Sequence, residues 1–195
     1  MNTAFTPTRM RITVDRYQKM VATGVLTSSD RVELIEGDIL SRAPVTPRHA
    51  SVTARLVKRL ILAVGEAALV GASNPVDLGE FSEPEPDVVI LKTRPDDYAR
   101  AHPKAEDVLL LVEIADTSLA YDVAPKRDLY ARFGVSEYWV IDLIGERILA
   151  HRRPVQGTFQ QIEEYGVSDT ISPQALPQTQ IGVRQLLGRV ESPRD

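Results

Sequence analysis

The chain has 195 residues, of which 43% are hydrophobic and 26% are charged, and it carries a formal net charge of −4. This composition excludes a disordered or fibrous protein. Because no cysteine is present, disulfide frameworks, zinc ribbons and thiol nucleophiles are excluded as well. The slight acidity argues against a protein that coats nucleic acid by bulk charge. It does not exclude a metal-dependent enzyme that acts on nucleic acid, because bound cations can offset an acidic site.

Neither a membrane span nor a signal peptide is visible in the hydropathy pattern. The longest uninterrupted aliphatic run covers residues 108–112, far fewer than the roughly 20 residues that a membrane helix requires. The N-terminal segment lacks the apolar core of a signal peptide. We therefore expect a cytoplasmic protein that does not associate with a membrane.

The first part of the chain predicts a polar arm followed by a helix, a hairpin and a long helix. Residues 1–12 form the flexible arm, 13–22 a short helix, and 31–40 two short strands around a turn. The clearest helix covers 47–64. Its apolar residues at helical spacing predict an inward stripe of Thr53, Leu56, Val57, Leu60, Ile61 and Val64.

The rest of the chain predicts strands around one further helix. Two continuous apolar runs, 86–91 and 107–114, are typical of strands covered on both faces. The polar segment between them predicts a loop with one helical turn, and a helix is predicted over 123–133. The remaining predicted elements are a meander of strands over 137–141, 147–151 and 158–165 and a short amphipathic turn at 183–187. With no repeat and no convincing linker, we predict a single α/β domain over 13–188, with a flexible tail at 189–195.

Two acidic residues occur where an apolar strand gives no reason for a charge. Asp87 opens the run VVIL at 88–91, and Glu113 follows LLLV and precedes Ile114. A carboxylate buried at such a position must be paired, bound to a metal or shifted in pKa, because an unpaired buried charge is costly. Each carboxylate therefore predicts either a functional group or a structural ion pair. Two converging carboxylates would suit a hard divalent cation such as Mg²⁺.

Lys126 shares a predicted helix face with Leu129, Tyr130 and Phe133 by the i, i+3, i+4, i+7 rule. One interpretation is a lysine at the edge of the apolar stripe that extends outward on its aliphatic stem. The other follows from its place near the start of the helix, after Asp122 as a cap. There the ammonium would reach the strand that carries Glu113 and would orient or deprotonate a water or offset charge on a phosphate.

Two further residues are weaker candidates. His49 lies on the inward stripe of the long helix in its first turn, where a structural hydrogen bond and a contact with a phosphate or a metal-bound water are both open. Glu33 alternates with Val32 and Leu34 and is a candidate extra carboxylate.

Four segments carry a resemblance to a known family: RVELIEGDIL at 31–40, the lone His49, EPDVVIL at 85–91, and LLLVEIADTSLAYDVAPKRDLYARFGVSEYWVID at 109–142. Over roughly residues 10–190 the chain resembles the Uma-like restriction endonuclease family of the PD-(D/E)XK nuclease superfamily. The resemblance implies a restriction-endonuclease-like core, a mixed central sheet flanked by helices. It also implies a Mg²⁺-dependent endonuclease that cleaves DNA phosphodiester bonds, with Mn²⁺ as an alternative metal.

The same resemblance implies roles for individual residues. Asp87 and Glu113 would be the metal-binding aspartate and glutamate of the motif, and Glu33 a further catalytic acid. The sequence departs from the superfamily pattern at Ala115, where the usual lysine stands, and Lys126 looks like its relocated replacement. The residues expected to support Lys126 and Glu113 are Tyr130, Asp122 and Ser118.

Other functions fit the same sequence. A catalytically inactive module that binds nucleic acid or protein could keep the fold, and a hydrolase of another phosphate ester could use the same carboxylates. If the chain cleaves both strands of a duplex, two active sites are needed, which predicts a homodimer. Edge strands within 137–165 or the C-terminal segment are the candidate interface. The candidate phosphate contacts are Arg48, Arg55, Lys58, Arg59, Arg147, His151, Arg152 and Arg153.

Overall fold

The computed structural model describes residues 8–188, so the predicted tail and the first seven residues of the predicted arm lie outside the described residues. The chain forms two compact units. One comprises the described residues up to Arg42 together with Asp77–Pro84, and the other comprises Ala43–Val76 and the described residues from Glu85 onward. The single domain over 13–188 stays a prediction.

The first unit contains helix α1 (Val14–Ala22) and a hairpin of strands β1 (Val32–Ile35) and β2 (Asp38–Ser41). Both predictions for this segment are confirmed. The turn of the hairpin requires glycine at position 37, where φ is +86° and a Cβ would lie 2.6 Å from the Cβ of Arg11. A β-bridge joins Leu34 of this hairpin to Glu83 in the second segment of the unit.

The second unit begins with the long helix α2 (Pro47–Val64), which has the predicted bounds. Proline at the first position and a side-chain cap from Thr46 explain its start. The predicted inward stripe is wrong in part, because Ile61 is 51% exposed. The helix instead buries a single row at every fourth position, consisting of Val52, Leu56, Leu60 and Val64. The apolar surface of the helix is wider than its contact with the rest of the unit, so the row that packs could not be identified from spacing alone.

A six-stranded mixed sheet forms the centre of this unit, as predicted. Its strands, already in spatial order, are β3 (Leu69–Ala72), β4 (Val88–Leu91), β5 (Val108–Ala115), β6 (Glu137–Asp142), β7 (Arg147–Val155) and β8 (Thr158–Tyr165). Strands β5 and β6 are parallel and all other neighbours are antiparallel. Strand β3 was not predicted. Because β6 and β7 lie inside the sheet, β8 is the only edge strand within 137–165.

Three helical segments connect the parallel pair β5 and β6. They are α3 (Leu119–Tyr121), a π-helical turn (Asp122–Lys126) and α4 (Arg127–Arg132). The chain ends with a two-stranded sheet of β9 (Thr170–Ile171) and β10 (Ile181–Gly182) and with α5 (Val183–Leu187). The main core joins α2 and α5 to the sheet residues Val88, Ile90, Leu110, Val112, Ile114, Trp139, Ile141, Ile148 and Ala150. No helix within residues 8–188 is both long enough and apolar enough to cross a membrane.

A buried ion pair fixes the N-terminal end of β6. Arg152 Nε donates to Glu137 Oε1 at 2.7 Å, and both side chains are almost fully buried. Glu137 also accepts from the Trp139 indole at 2.8 Å and from the backbone N–H of Gln174 at 2.6 Å, while Arg152 donates to the Ser172 carbonyl at 3.0 Å. A buried charge pair with this many hydrogen bonds is a structural feature.

Candidate active site

The structure places Asp87 and Glu113 side by side. The register pairs Val88 of β4 with Val112 of β5, so one further step along the ladder sets Asp87 beside Glu113. Asp87 Oδ2 accepts a hydrogen bond from the backbone N–H of Ile114 at 2.8 Å, which fixes this carboxylate against β5. Both acidic residues are buried, at 7% and 4% exposure. Asp87 therefore precedes β4 at the same end of the sheet at which Glu113 lies near the end of β5.

Lys126 reaches this pair from the helical connection. Its Nζ donates to Glu113 Oε1 at 2.8 Å, and the Tyr130 hydroxyl donates to the same oxygen at 2.9 Å. Lys126 is only 4% exposed, so the interpretation of a lysine that extends into solvent is wrong. Phe133, predicted to share the inward face, is 42% exposed, because α4 ends at Arg132 and Gly134 has the positive φ that breaks the helix.

The helix that carries Lys126 differs from its prediction. It begins at Leu119 instead of Val123, so Asp122 lies inside it and does not act as the cap. The Asp122 carboxylate accepts from Ser118 Oγ at 2.5 Å. Residues 122–126 form a π-helical turn that contains Pro125, a residue with no N–H to donate to the preceding turn. π-Helical turns are rare in proteins, and those that occur are often found at functional sites.

His49 contacts Asp87 from the first turn of α2. Its Nε2 lies 3.0 Å from Asp87 Oδ2, and its Nδ1 lies 3.4 Å from Thr53 Oγ1. Thr46 caps the helix by accepting from the His49 N–H and donates its own hydroxyl to Asp116 Oδ2 at 2.7 Å. Thr46 and Asp116 were not predicted; a threonine before Pro47 is a recognisable cap, but its acidic partner is far away in sequence.

Glu33 belongs to the first unit, where it lies on β1 and is 3% exposed. The structure therefore brings together Asp87, Glu113, Lys126, His49 and Tyr130 within the second unit. The catalytic role of Glu33 stays a prediction.

The donor atoms at this site suit a hard divalent cation. Asp87 and Glu113 supply carboxylate oxygens, the ligands that Mg²⁺ prefers. Within the described residues no group of three or more His, Asp or Glu side chains is arranged to hold a metal ion. This does not conflict with Mg²⁺, which usually keeps several waters and takes only one or two carboxylates from the protein, with phosphate oxygens of the substrate completing its shell.

Several of the predicted phosphate contacts have other partners. Besides Arg152, Arg55 donates to the carbonyls of Leu186 and Leu187 at the end of α5, at 2.7 and 2.8 Å. His151 is buried against Tyr138. These three side chains bind within the protein and stabilise the fold, so the prediction that they contact phosphate is wrong. The positions of basic residues along a sequence do not show which of them face the solvent.

Comparison with known proteins agrees with this architecture. A family model described as "Uma2: Putative restriction endonuclease" matches residues 14–184 of the chain. Among solved structures, the chain is similar to "a putative nuclease belonging to DUF820" from Anabaena variabilis ATCC 29413. That match has a TM-score of 0.75 and 16% sequence identity and covers 90% of this chain and 97% of the other. None of the curated proteins matches the chain. The structural match shows a shared fold.

Proposed function

The chain belongs to the Uma2 family, and from this premise we propose that it is a Mg²⁺-dependent endonuclease that hydrolyses phosphodiester bonds of DNA. One observation carries the proposal. The buried Lys126 amine lies 2.8 Å from Glu113, whose strand also supplies the Ile114 N–H that fixes Asp87. Two carboxylates and one amine thus converge from two strands and a helix.

In this proposal Asp87 and Glu113 would hold Mg²⁺, or Mn²⁺ in its place. The bound cation would make a coordinated water more acidic and offset charge on the phosphate. Hydrogen bonds within the chain already hold both carboxylates in place. The Ile114 N–H and His49 fix one carboxylate oxygen of Asp87, and Lys126 with Tyr130 fixes one of Glu113. Such hydrogen bonds orient metal-binding carboxylates.

Lys126 would orient the attacking water and offset the negative charge that develops on the phosphate. A fixed cation in a site that excludes water stabilises such charge more strongly than it would in bulk solvent. Ser118 and Asp122 would hold the turn from which Lys126 extends, and His49 would keep Asp87 in place or contact a phosphate oxygen. Glu33 is proposed as a further catalytic acid.

We propose DNA as the substrate, a homodimer as the form that would cut both strands of a duplex, and the cytoplasm as the compartment. Strand β8 or the C-terminal segment is the proposed interface. Strand β8 is an edge of the six-stranded sheet and therefore presents backbone groups that a second copy could pair with.

A second function is a non-catalytic module that binds nucleic acid or protein on the same fold. The favouring observation is that Glu113 Oε1 already accepts two hydrogen bonds, from Lys126 and Tyr130, as a structural ion pair would. Titration with Mn²⁺ separates the two functions. The nuclease binds the ion at millimolar concentration or below, whereas a module with an inactive site does not.

Cleavage of supercoiled plasmid tests the proposed function. The purified protein is expected to nick or linearise the plasmid with Mg²⁺ or Mn²⁺ and to lose this activity when the metal is chelated, because two carboxylates alone do not activate water. An Asp87→Asn variant purified in parallel keeps the size of the side chain and should not cleave. Equal cleavage by the variant and the natural chain would identify a contaminating nuclease and contradict the proposal.

A further inference from the structure

Tyr138 lies beneath the helix that carries Lys126 and is fully buried on β6. Its hydroxyl donates to the backbone carbonyl of Asp122 at 3.1 Å. Asp122 is the first residue of the π-helical turn that ends at Lys126. The hydroxyl of one strand residue thus holds the start of the turn that positions the amine.

The carbonyl that Tyr138 holds is also the one that defines the turn. The backbone N–H of Arg127 donates to the Asp122 carbonyl, which is the i to i−5 bond of a π-helix. A carbonyl oxygen has two lone pairs, so it can accept from Arg127 and Tyr138 together. Because Pro125 has no N–H to donate to Tyr121, the regular α-helical bonds are already interrupted here. The hydrogen bond from Tyr138 therefore stabilises the turn where the regular helical hydrogen bonds are interrupted.

The ring of Tyr138 supports the second donor to Glu113. The Tyr130 ring packs against it with the centroids 4.9 Å apart and the planes at 58°, a favourable tilted arrangement. Tyr130 in turn donates to Glu113 Oε1. The hydroxyl of Tyr138 thus fixes the turn of Lys126, while its ring fixes Tyr130, and both of these residues meet at one oxygen of Glu113.

We propose that Tyr138 is a positioning residue that sets the distance between Lys126 and Glu113 through the π-helical turn. The inference rests on the proposed nuclease function for its effect on cleavage, whereas its effect on Lys126 itself does not need that function. Through its hydroxyl and its ring, Tyr138 acts on Glu113 by way of Lys126 and Tyr130.

Tyr138→Phe removes the hydroxyl and keeps the ring, so its packing with Tyr130 and the buried volume are preserved. We expect the turnover of plasmid cleavage to fall by roughly ten- to a hundredfold, because small misplacements of a reacting group cost this much. The KM for DNA should stay within about twofold, since no contact with substrate is removed. Tyr98→Phe is the matched control: it removes a hydroxyl bond of 2.8 Å to the Lys92 carbonyl, beyond the opposite end of β4, and should leave turnover unchanged.

A second measurement reports on Lys126 without catalysis. Brief acetylation with an amine-reactive ester, followed by mass spectrometry, should modify the exposed Lys92 rapidly and the buried Lys126 slowly. In Tyr138→Phe the protection of Lys126 should fall several-fold while Lys92 is unchanged. Cooperative unfolding of the variant shows that it is folded when this is measured.

The two measurements separate the two claims. If the natural chain does not cleave DNA, the proposed function fails, and the acetylation result still decides the role of Tyr138. Loss of Lys126 protection in Tyr138→Phe, with Tyr98→Phe unaffected, supports the positioning role. Unchanged protection of Lys126 in a folded variant overturns it, as does a fall in turnover that Tyr98→Phe reproduces.

Discussion

Replacing Lys126 by methionine is expected to lower the rate of metal-dependent cleavage by about 10²- to 10³-fold, the usual effect of removing one group that stabilises developing charge. Methionine retains the length and apolar stem of the side chain but cannot donate to Glu113. Lys92→Met is the control, because Lys92 is an exposed lysine beyond the end of β4 that is distant from Asp87. The initial rate of plasmid cleavage at saturating Mg²⁺ measures the effect.

The same substitution should destabilise the fold, and this must be separated from the loss of activity. Removing one partner of a buried ion pair costs about 3–5 kcal/mol, because the remaining charge loses its compensation. The double variant Lys126→Met with Glu113→Gln removes both charges. We expect it to recover most of the free energy of unfolding but none of the cleavage. Full cleavage by a folded Lys126→Met protein would show that the lysine is structural and would contradict its proposed role.

The stability of the protein should depend on the protonation of His151. This residue is 2% exposed, its ring stacks on Tyr138 with the centroids 5.4 Å apart, and its Nδ1 lies 3.3 Å from the Tyr138 carbonyl oxygen. Burial lowers the pKa of His151 from 6.5 to about 4, because the buried ring disfavours a charge; the positive charge of Arg127 contributes in the same direction.

The direction of the pH effect follows from this shift. Between pH 6.5 and about 4 the unfolded chain takes up a proton that the folded chain does not, so the free energy of unfolding falls as the pH falls. Above pH 6.5 the histidine is neutral in both the folded and the unfolded chain, and the free energy of unfolding keeps its full value. The decrease at low pH amounts to at most about 3 kcal/mol. In urea titrations that follow the fluorescence of the single tryptophan, Trp139, His151→Asn should show less pH dependence than the natural chain. His102→Asn, at an exposed position, is the control. Parallel stability curves for His151→Asn and the natural chain would contradict the prediction.

The parts of the fold that could be predicted are those with a local signal. Helix α2 has its predicted bounds because Thr46, Pro47 and Gly65 mark its ends. Strands β4 and β5 follow from continuous apolar runs. The charges of Asp87 and Glu113 within these runs predicted both residues as candidates for the site. The helix face that Lys126 shares with Leu129 and Tyr130 left two positions open for its amine, and proximity to the strand of Glu113 was one of them.

The remaining features depend on contacts between distant segments. The π-helical turn could not be predicted, because Pro125 after Asp122 also suits a helix that begins there. The bond from Tyr138 to this turn joins β6 to a segment 16 positions earlier, and no sequence pattern marks it. Arg55 and Arg152 resembled surface cations in the sequence, yet they donate to backbone carbonyls, and Arg152 also pairs with Glu137. Such partners become visible only once the chain is folded.

The central claim is that Asp87 and Glu113 together bind one divalent cation beside Lys126. Crystals of the protein grown with Mn²⁺ and measured at a wavelength where manganese scatters anomalously test it most directly. The account predicts one anomalous peak within roughly 2.0–2.5 Å of an oxygen of each carboxylate, absent from crystals of Asp87→Asn. Full occupancy of Mn²⁺ elsewhere on the chain, with no peak between these two side chains, would contradict it.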